Sequence, residues 1–301
     1  MTAGQVFLGL DAMPMAAMLA VAWCCTLLGN FLLLRRQSML ADAQAHMVLP
    51  GIVLAFLFSG SQLNYPVLAL GAFASTLAGS LAIQYLHHRT RMSYGALMGM
   101  VFSSFFAGGV LLLEWGVDAR THLDVQHVLL GNAQALIVPE WLGSRSLGWD
   151  DLRFFPPEVA WLGGWLAVLM AAHRFFARTL LLASFDPGYA RIAGMPAQGL
   201  AIGLGGLAAV SFVLAFKLVG LITVISMVVI PSACARLLST RFHRQVTLSL
   251  MFATTFSIGG YWGAILIPPL VGLDYSLNVP GTVGTIALVT LTVLCAGRRW
   301  A

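Results

Sequence analysis

The chain has 301 residues, of which 59% are hydrophobic and only 9% charged, with a formal net charge of +5. Soluble domains carry about 25% charged residues, so this composition excludes a water-facing globular surface. The basic residues sit at the ends of apolar runs instead of in a patch, which excludes nucleic acid as a partner and matches membrane loops.

In chain order, residues 1–11 carry no Lys or Arg ahead of the first apolar run, which argues against a cleavable signal peptide. A bilayer core needs about 20 apolar residues per helix. Runs of that kind lie at 12–34, 41–59, 66–86, 94–114, 157–178, 199–215, 218–237, 246–268 and 281–297. They are continuous and not alternating, so they predict an all-α polytopic transmembrane bundle and no β-barrel. Only Phe216 and Lys217 part the sixth run from the seventh, so the expected count is eight or nine spans. Cys24, Cys25, Cys234 and Cys295 lie in apolar runs, form no Cys-x-x-Cys pair and read as small buried hydrophobes.

Orientation follows from Lys and Arg placement. With the N-terminus outside, the cytoplasmic face collects twelve of the sixteen basic residues, among them Arg35, Arg36, Arg89, Arg91, Arg191, Arg236 and Arg241. Arg120, Arg145, Arg153 and Lys217 remain on the other face. The longest stretch between spans, 115–156, falls outside in this arrangement; its apolar piece, 125–142, is interrupted by Gly131, Asn132 and Pro139 and reads as re-entrant or interfacial. Pro50-Gly51 in the second span and Pro231-Ser232 in the seventh would break two helices that cross in opposite directions, a pointer to inverted repeats.

Asp42 and His46 are the most informative polar residues. An Asp at the centre of a membrane helix costs about 2.5–3.5 kcal/mol on insertion scales and is a functional hypothesis by default. Their spacing of four places both side chains on one helix face, where a carboxylate and an imidazole can share one cation. That mixed donor set suits a divalent transition metal. The same residues also fit a helix cap and a packed imidazole. Met47 could supply a soft ligand, although methionine is more usually filler, whereas Gln44 faces away from the pair. His122 and His127 read as solvated loop residues.

The segment 184–194 predicts a short cytoplasmic helix with Asp186 as N-cap, Pro187 at its first position and Gly194 as its stop. Such a helix serves equally as a docking element or as a plain connector. There is no Gly-x-x-x-x-Gly-Lys-Ser/Thr phosphate loop and no Gly-x-Ser-x-Gly, so neither ATP binding of that kind nor hydrolase chemistry is expected.

The run from Gly29-Asn30-Phe31 through Arg35-Arg36 to Asp42, His46 and Pro50-Gly51 resembles the metal-importing family of ABC transporter permeases. Members usually show Gly-Asp-Ala-x-x-His-x-x-Leu-Pro-Gly there, and this chain departs only in having Ala41 for the first Gly. Phe185-Asp186-Pro187 to Ala190-Arg191 and Gly194 is similar to the family's coupling segment. Val219-Gly220-Leu221 through Ile230-Pro231-Ser232-Ala233 to Arg236 and His127-Val128-Leu129-Leu130-Gly131-Asn132 match two further stretches.

The resemblance implies one permease domain over 1–301 in the inner (plasma) membrane, surrounded by lipid. It implies a second permease copy, a separate cytoplasmic ATPase and an extracytoplasmic metal-binding protein. Asp42 and His46 would then line the path of manganese, zinc or iron, with Pro50, Gly51 and Pro231 breaking helices beside it. Ser184, Phe185, Asp186, Pro187, Tyr189, Ala190, Arg191 and Gly194 would couple to the ATPase. No permanent cofactor is expected, and the chain would be no enzyme. A gradient-driven carrier would place acids and imidazoles on more than one helix, and a siderophore or vitamin permease would not need the Asp–His pair.

Overall fold

The computed structural model describes residues 10–59, 65–90, 92–116, 156–270, 272 and 277–299. These hold ten helices and no strand: α1 (Ala12–Leu34), α2 (Leu40–Phe58), α3 (Tyr65–Arg89), α4 (Tyr94–Gly116), α5 (Pro157–Phe185), α6 (Pro187–Ile192), α7 (Ala197–Val219), α8 (Leu221–Leu238), α9 (Phe242–Leu270) and α10 (Val279–Arg299). All but α6 are long and apolar enough to cross a membrane, giving nine such helices among the described residues. His122, His127, Arg120, Arg145, Arg153 and the piece 125–142 lie outside the described residues.

The break between the sixth and seventh spans is not where the charge of Lys217 places it. Helix α7 runs on to Val219, and the chain turns at Gly220, whose φ of 84° is open to glycine without a Cβ penalty. Lys217 stays in the last turn, where its Nζ lies 3.3 Å from Oε1 of Glu158 at the start of α5.

The chain divides into two compact units: 1–30, 130–174 and 217–301 form the first, and 31–129 and 175–216 form the second. In the first unit, α8 packs on α9 and α10, which also pack on each other. Asn30 donates from Nδ2 to the Ser249 hydroxyl at 2.8 Å and accepts from Gln245 Nε2 at 3.0 Å, and all three side chains are buried. Pro231 inside α8 has no N–H for the carbonyl of Met227. The Thr26 hydroxyl donates to that carbonyl at 3.0 Å, so the bond that the helix loses at Pro231 is replaced from its neighbour.

In the second unit the helix with an internal proline again packs on the two that follow it, α2 on α3 and α4. Fourteen of the nineteen residues of α2 are buried. Gly51 and Gly71 bring α2 and α3 together: a Cβ on either would collide with the other's carbonyl oxygen. Gly109 of α4 lies over the internal proline, where a Cβ would come within 2.9 Å of the Pro50 nitrogen. Helix α1 ends in a Schellman motif, with Gln37 N–H donating to Leu32 O at 2.8 Å and Arg36 N–H to Leu33 O at 3.1 Å. The left-handed position of that motif, usually glycine, is held by Arg36 at φ 57°.

Candidate functional site

The donors Asp42 and His46 belong to the second unit. Helix α2 begins at Leu40 with Met39 as its N-cap, so Asp42 sits inside the first turn and not at the capping position. There its charge still opposes the helix dipole favourably. Nε2 of His46 lies 3.8 Å from Oδ1 of Asp42, and their side chains are 37% and 35% exposed on a helix whose other faces are packed. Two donors each about 2.1 Å from one metal are at most about 4.2 Å apart, so this separation lets both reach a single ion without backbone movement.

The imidazole is oriented by α4. Its ring stacks on Phe102 at 5.3 Å and meets Phe106 edge-on at 5.4 Å. Sequence spacing does not reveal these partners, because they come from another helix. Just above the pair, Pro50 withholds the N–H that would bond the His46 carbonyl. Among the described residues no group of three or more His, Cys, Asp or Glu side chains converges on one point.

Two neighbours take structural roles. Met47, open as a soft donor in the sequence, is buried against Gly79 of α3. Gln44 is fully buried, and its Nε2 donates to the Ser80 hydroxyl at 2.8 Å and to the Gly205 carbonyl at 3.3 Å. It ties α2 to α3 and α7 from the side opposite the Asp–His pair.

The loop helix α6 forms as its residues dictate. The Asp186 carboxylate accepts the Tyr189 N–H at 2.8 Å, with Pro187 opening the helix. The chain leaves through Gly194 at φ 74°, and Met195 N–H closes onto Ala190 O at 2.8 Å. Before it, the Ser184 hydroxyl donates to Leu180 O at 2.6 Å in the last turn of α5. Ala190 is fully buried with Ala183, against Met195 and Leu200. Its side chain holds α6 onto the unit. Phe185, Tyr189 and Ile192 instead stand exposed, Ile192 at 88%. Ile192 is the member of this surface that sequence motifs did not single out. For Pro187 and Arg191 only the backbone is described.

The structure therefore defines a polytopic α-helical membrane protein with prolines inside several of its spans, a polar Asp–His pair on a mostly buried span and a capped helix between spans. The chain belongs to the ABC 3 transport family, whose profile matches residues 11–141 and 156–269. It is a multi-pass protein of the inner (plasma) membrane and a transport subunit; in this family ATP hydrolysis resides in a separate subunit. It is 34% identical over 255 residues to the manganese transport system membrane protein MntD of Bacillus subtilis, covering 84% of this chain and 83% of that protein. It is 30% identical over 236 residues to the chelated iron transport system membrane protein YfeD of Yersinia pestis, covering 78% and 70%. The fold is similar to that of PsaBC from Streptococcus pneumoniae solved in complex with Fab, with a TM-score of 0.70 and 23% identity over 94% of this chain and 89% of that one.

Proposed function

We infer that the whole of 1–301 acts as one permease domain of an ATP-driven importer for a divalent transition metal, with Asp42 and His46 as ligands on the path. The carrying observation is the placement of this pair: two ligand-type side chains, 3.8 Å apart and partly exposed, on a span most of whose residues are buried. The relatives named for manganese and chelated iron transport support the cargo class. A second copy of the chain would supply the same pair and complete four protein ligands. A separate cytoplasmic ATPase would dock on α6 and its flanks, and an extracytoplasmic metal-binding protein would deliver the ion. Manganese, iron and zinc all remain within this donor chemistry. The site should hold its ion only transiently, because the ion must leave on the other side.

The test is metal uptake in cells lacking other importers. Asp42→Asn keeps the size of the side chain and removes its charge; His46→Ala removes the nitrogen donor. Both should reduce uptake about tenfold or more, since loss of one donor or its charge from a small ligand set is worth at least one power of ten. Membrane insertion and basal ATP hydrolysis of the assembled transporter should persist. Protons compete with metal for the imidazole nitrogen, so acidification should also lower uptake by the parent protein. Near-normal uptake by both variants would return the pair to a structural role.

A further inference from the structure

At one end of the second unit lies a cavity of about 690 Å³. It opens between the α1–α2 turn, the end of α3, the start of α4, the end of α5 and the start of α7, all on the face that the basic residues mark as cytoplasmic. Arg35, Arg36, His87, His88 and Tyr94 line it, and among the described residues no carboxylate does. Its positive charge is therefore uncompensated from within.

Two further observations concern the arginines themselves. Nη1 of Arg35 is buried and has no hydrogen-bond partner among the described residues. Burial also pushes the Arg35 guanidinium below its ordinary pKa, against the opposing influence of Tyr94. A buried guanidinium nitrogen left unbonded is costly, and a rotation of the Arg35 side chain, which lines the cavity, would bring that nitrogen to an anion seated there. Arg36 stands at the lip in the left-handed conformation, φ 57°, where glycine would be relaxed.

We propose that this cavity binds a phosphate group, and that the group is the headgroup of an anionic phospholipid of the cytoplasmic leaflet. Phosphate matches the donors: guanidinium forks bind its oxygens in pairs, and imidazole and phenol add single donors. The cavity is many times the roughly 30 Å³ share of a water molecule, which leaves room for the glycerol part of a lipid beyond the phosphate. Exposed Tyr85 and Met92 flank this end of the unit and offer apolar surface to acyl chains. Basic pockets among membrane helices at the cytoplasmic surface bind anionic headgroups in this way. The site is separate from Asp42 and His46 and involves no metal.

The experiment uses the purified full chain in detergent, without metal or ATP. Short-chain phosphatidylglycerol, short-chain phosphatidylcholine and inorganic phosphate are each titrated, with retention read by native mass spectrometry and stability by thermal unfolding. Phosphatidylglycerol should be retained and should raise the unfolding midpoint, and phosphatidylcholine should do neither. Arg36→Gly relaxes the left-handed position, so the free protein should unfold no earlier than the parent. Its phosphatidylglycerol affinity should still fall about fivefold, the effect of one basic residue at an anionic surface. Adding His87→Gln and His88→Gln should weaken retention further. If inorganic phosphate protects as well as the lipid does, the phosphate site stands and its source is soluble. Equal retention of both lipids, no binding of either anion, or unchanged affinity in Arg36→Gly would overturn the proposal. So would variants that lose only a co-purifying ATPase, because the face would then be a protein-docking surface.

Discussion

A methyl group added at Gly51 would meet the carbonyl oxygen of Gly71, a backbone atom that cannot move aside alone. Gly51→Ala should therefore push α2 from α3 and destabilise the protein by about 1–3 kcal/mol. Gly99 of α4 has open space at the same test position, so Gly99→Ala should be neutral or stabilising by up to about 1 kcal/mol through helix propensity. Thermal unfolding of both variants in detergent measures the contrast, and an equal loss would refute the close-packing account. The same residue scale decides what was legible in the sequence. Asp42 and His46 are visible because charge is rare inside apolar runs and a spacing of four is a local property. Helix periodicity turns Gln44 away from the pair, and so it stands; its bonds to Ser80 and Gly205 join residues 36 and 161 positions distant, which no local pattern encodes. Phe102 and Phe106 were invisible for the same reason, being ordinary apolar residues until α4 packs beside His46.

At the scale of elements, α6 was the most readable piece because capping is chemistry between neighbours. Asp186, Pro187 and Gly194 each act within a few residues of their own position. Which face of that helix is free depends on packing instead, and there local reasoning stops. Ala190 is small and conveys no direction in the sequence, yet it is fully buried, while Ile192 is almost wholly exposed. An exposed isoleucine beside Tyr189 and Phe185 offers an apolar contact to a docking ATPase. Tyr189→Glu with Ile192→Glu should leave the permease folded and separate ATP hydrolysis from transport in reconstituted vesicles. Ala190→Glu should instead lower expression and thermal stability, because it buries an unpaired charge. Full coupling in the double variant would remove α6 from the docking role. The break before α8 shows the opposite error: Lys217 looks like a span end by its charge, but its long side chain reaches Glu158 while the backbone stays helical to Val219. The turn belongs to Gly220, where only the backbone has changed.

At the scale of the whole molecule, the number of spans and their alternation follow from hydropathy, which is a property of long windows and survives local misreading. Alternation through the nine candidate spans among the described residues places the ends carrying Arg35, Arg89 and Arg241 on one face and the ends carrying Trp115 and Leu270 on the other. Glu158 and Lys217 are paired at the start of α5 and the end of α7, two ends that this alternation assigns to the same face. Which face is cytoplasmic rests on the bias of basic residues, so it is open to direct test. Cys24, Cys25 and Cys234 are buried and Cys295 is exposed, and all four can be replaced by alanine to give a background without thiols. Single cysteines are then introduced in place of His88, Arg241, Asp150 and Leu270, and intact cells are treated with a membrane-impermeant maleimide before and after permeabilisation. Cysteines at 150 and 270 should react in intact cells, and those at 88 and 241 only after the membrane is opened. Reaction of the cysteine at 150 only after permeabilisation would invert the topology. The phosphate-binding cavity and α6 would then face away from the cytoplasm, and an ATPase could not reach the helix assigned to it.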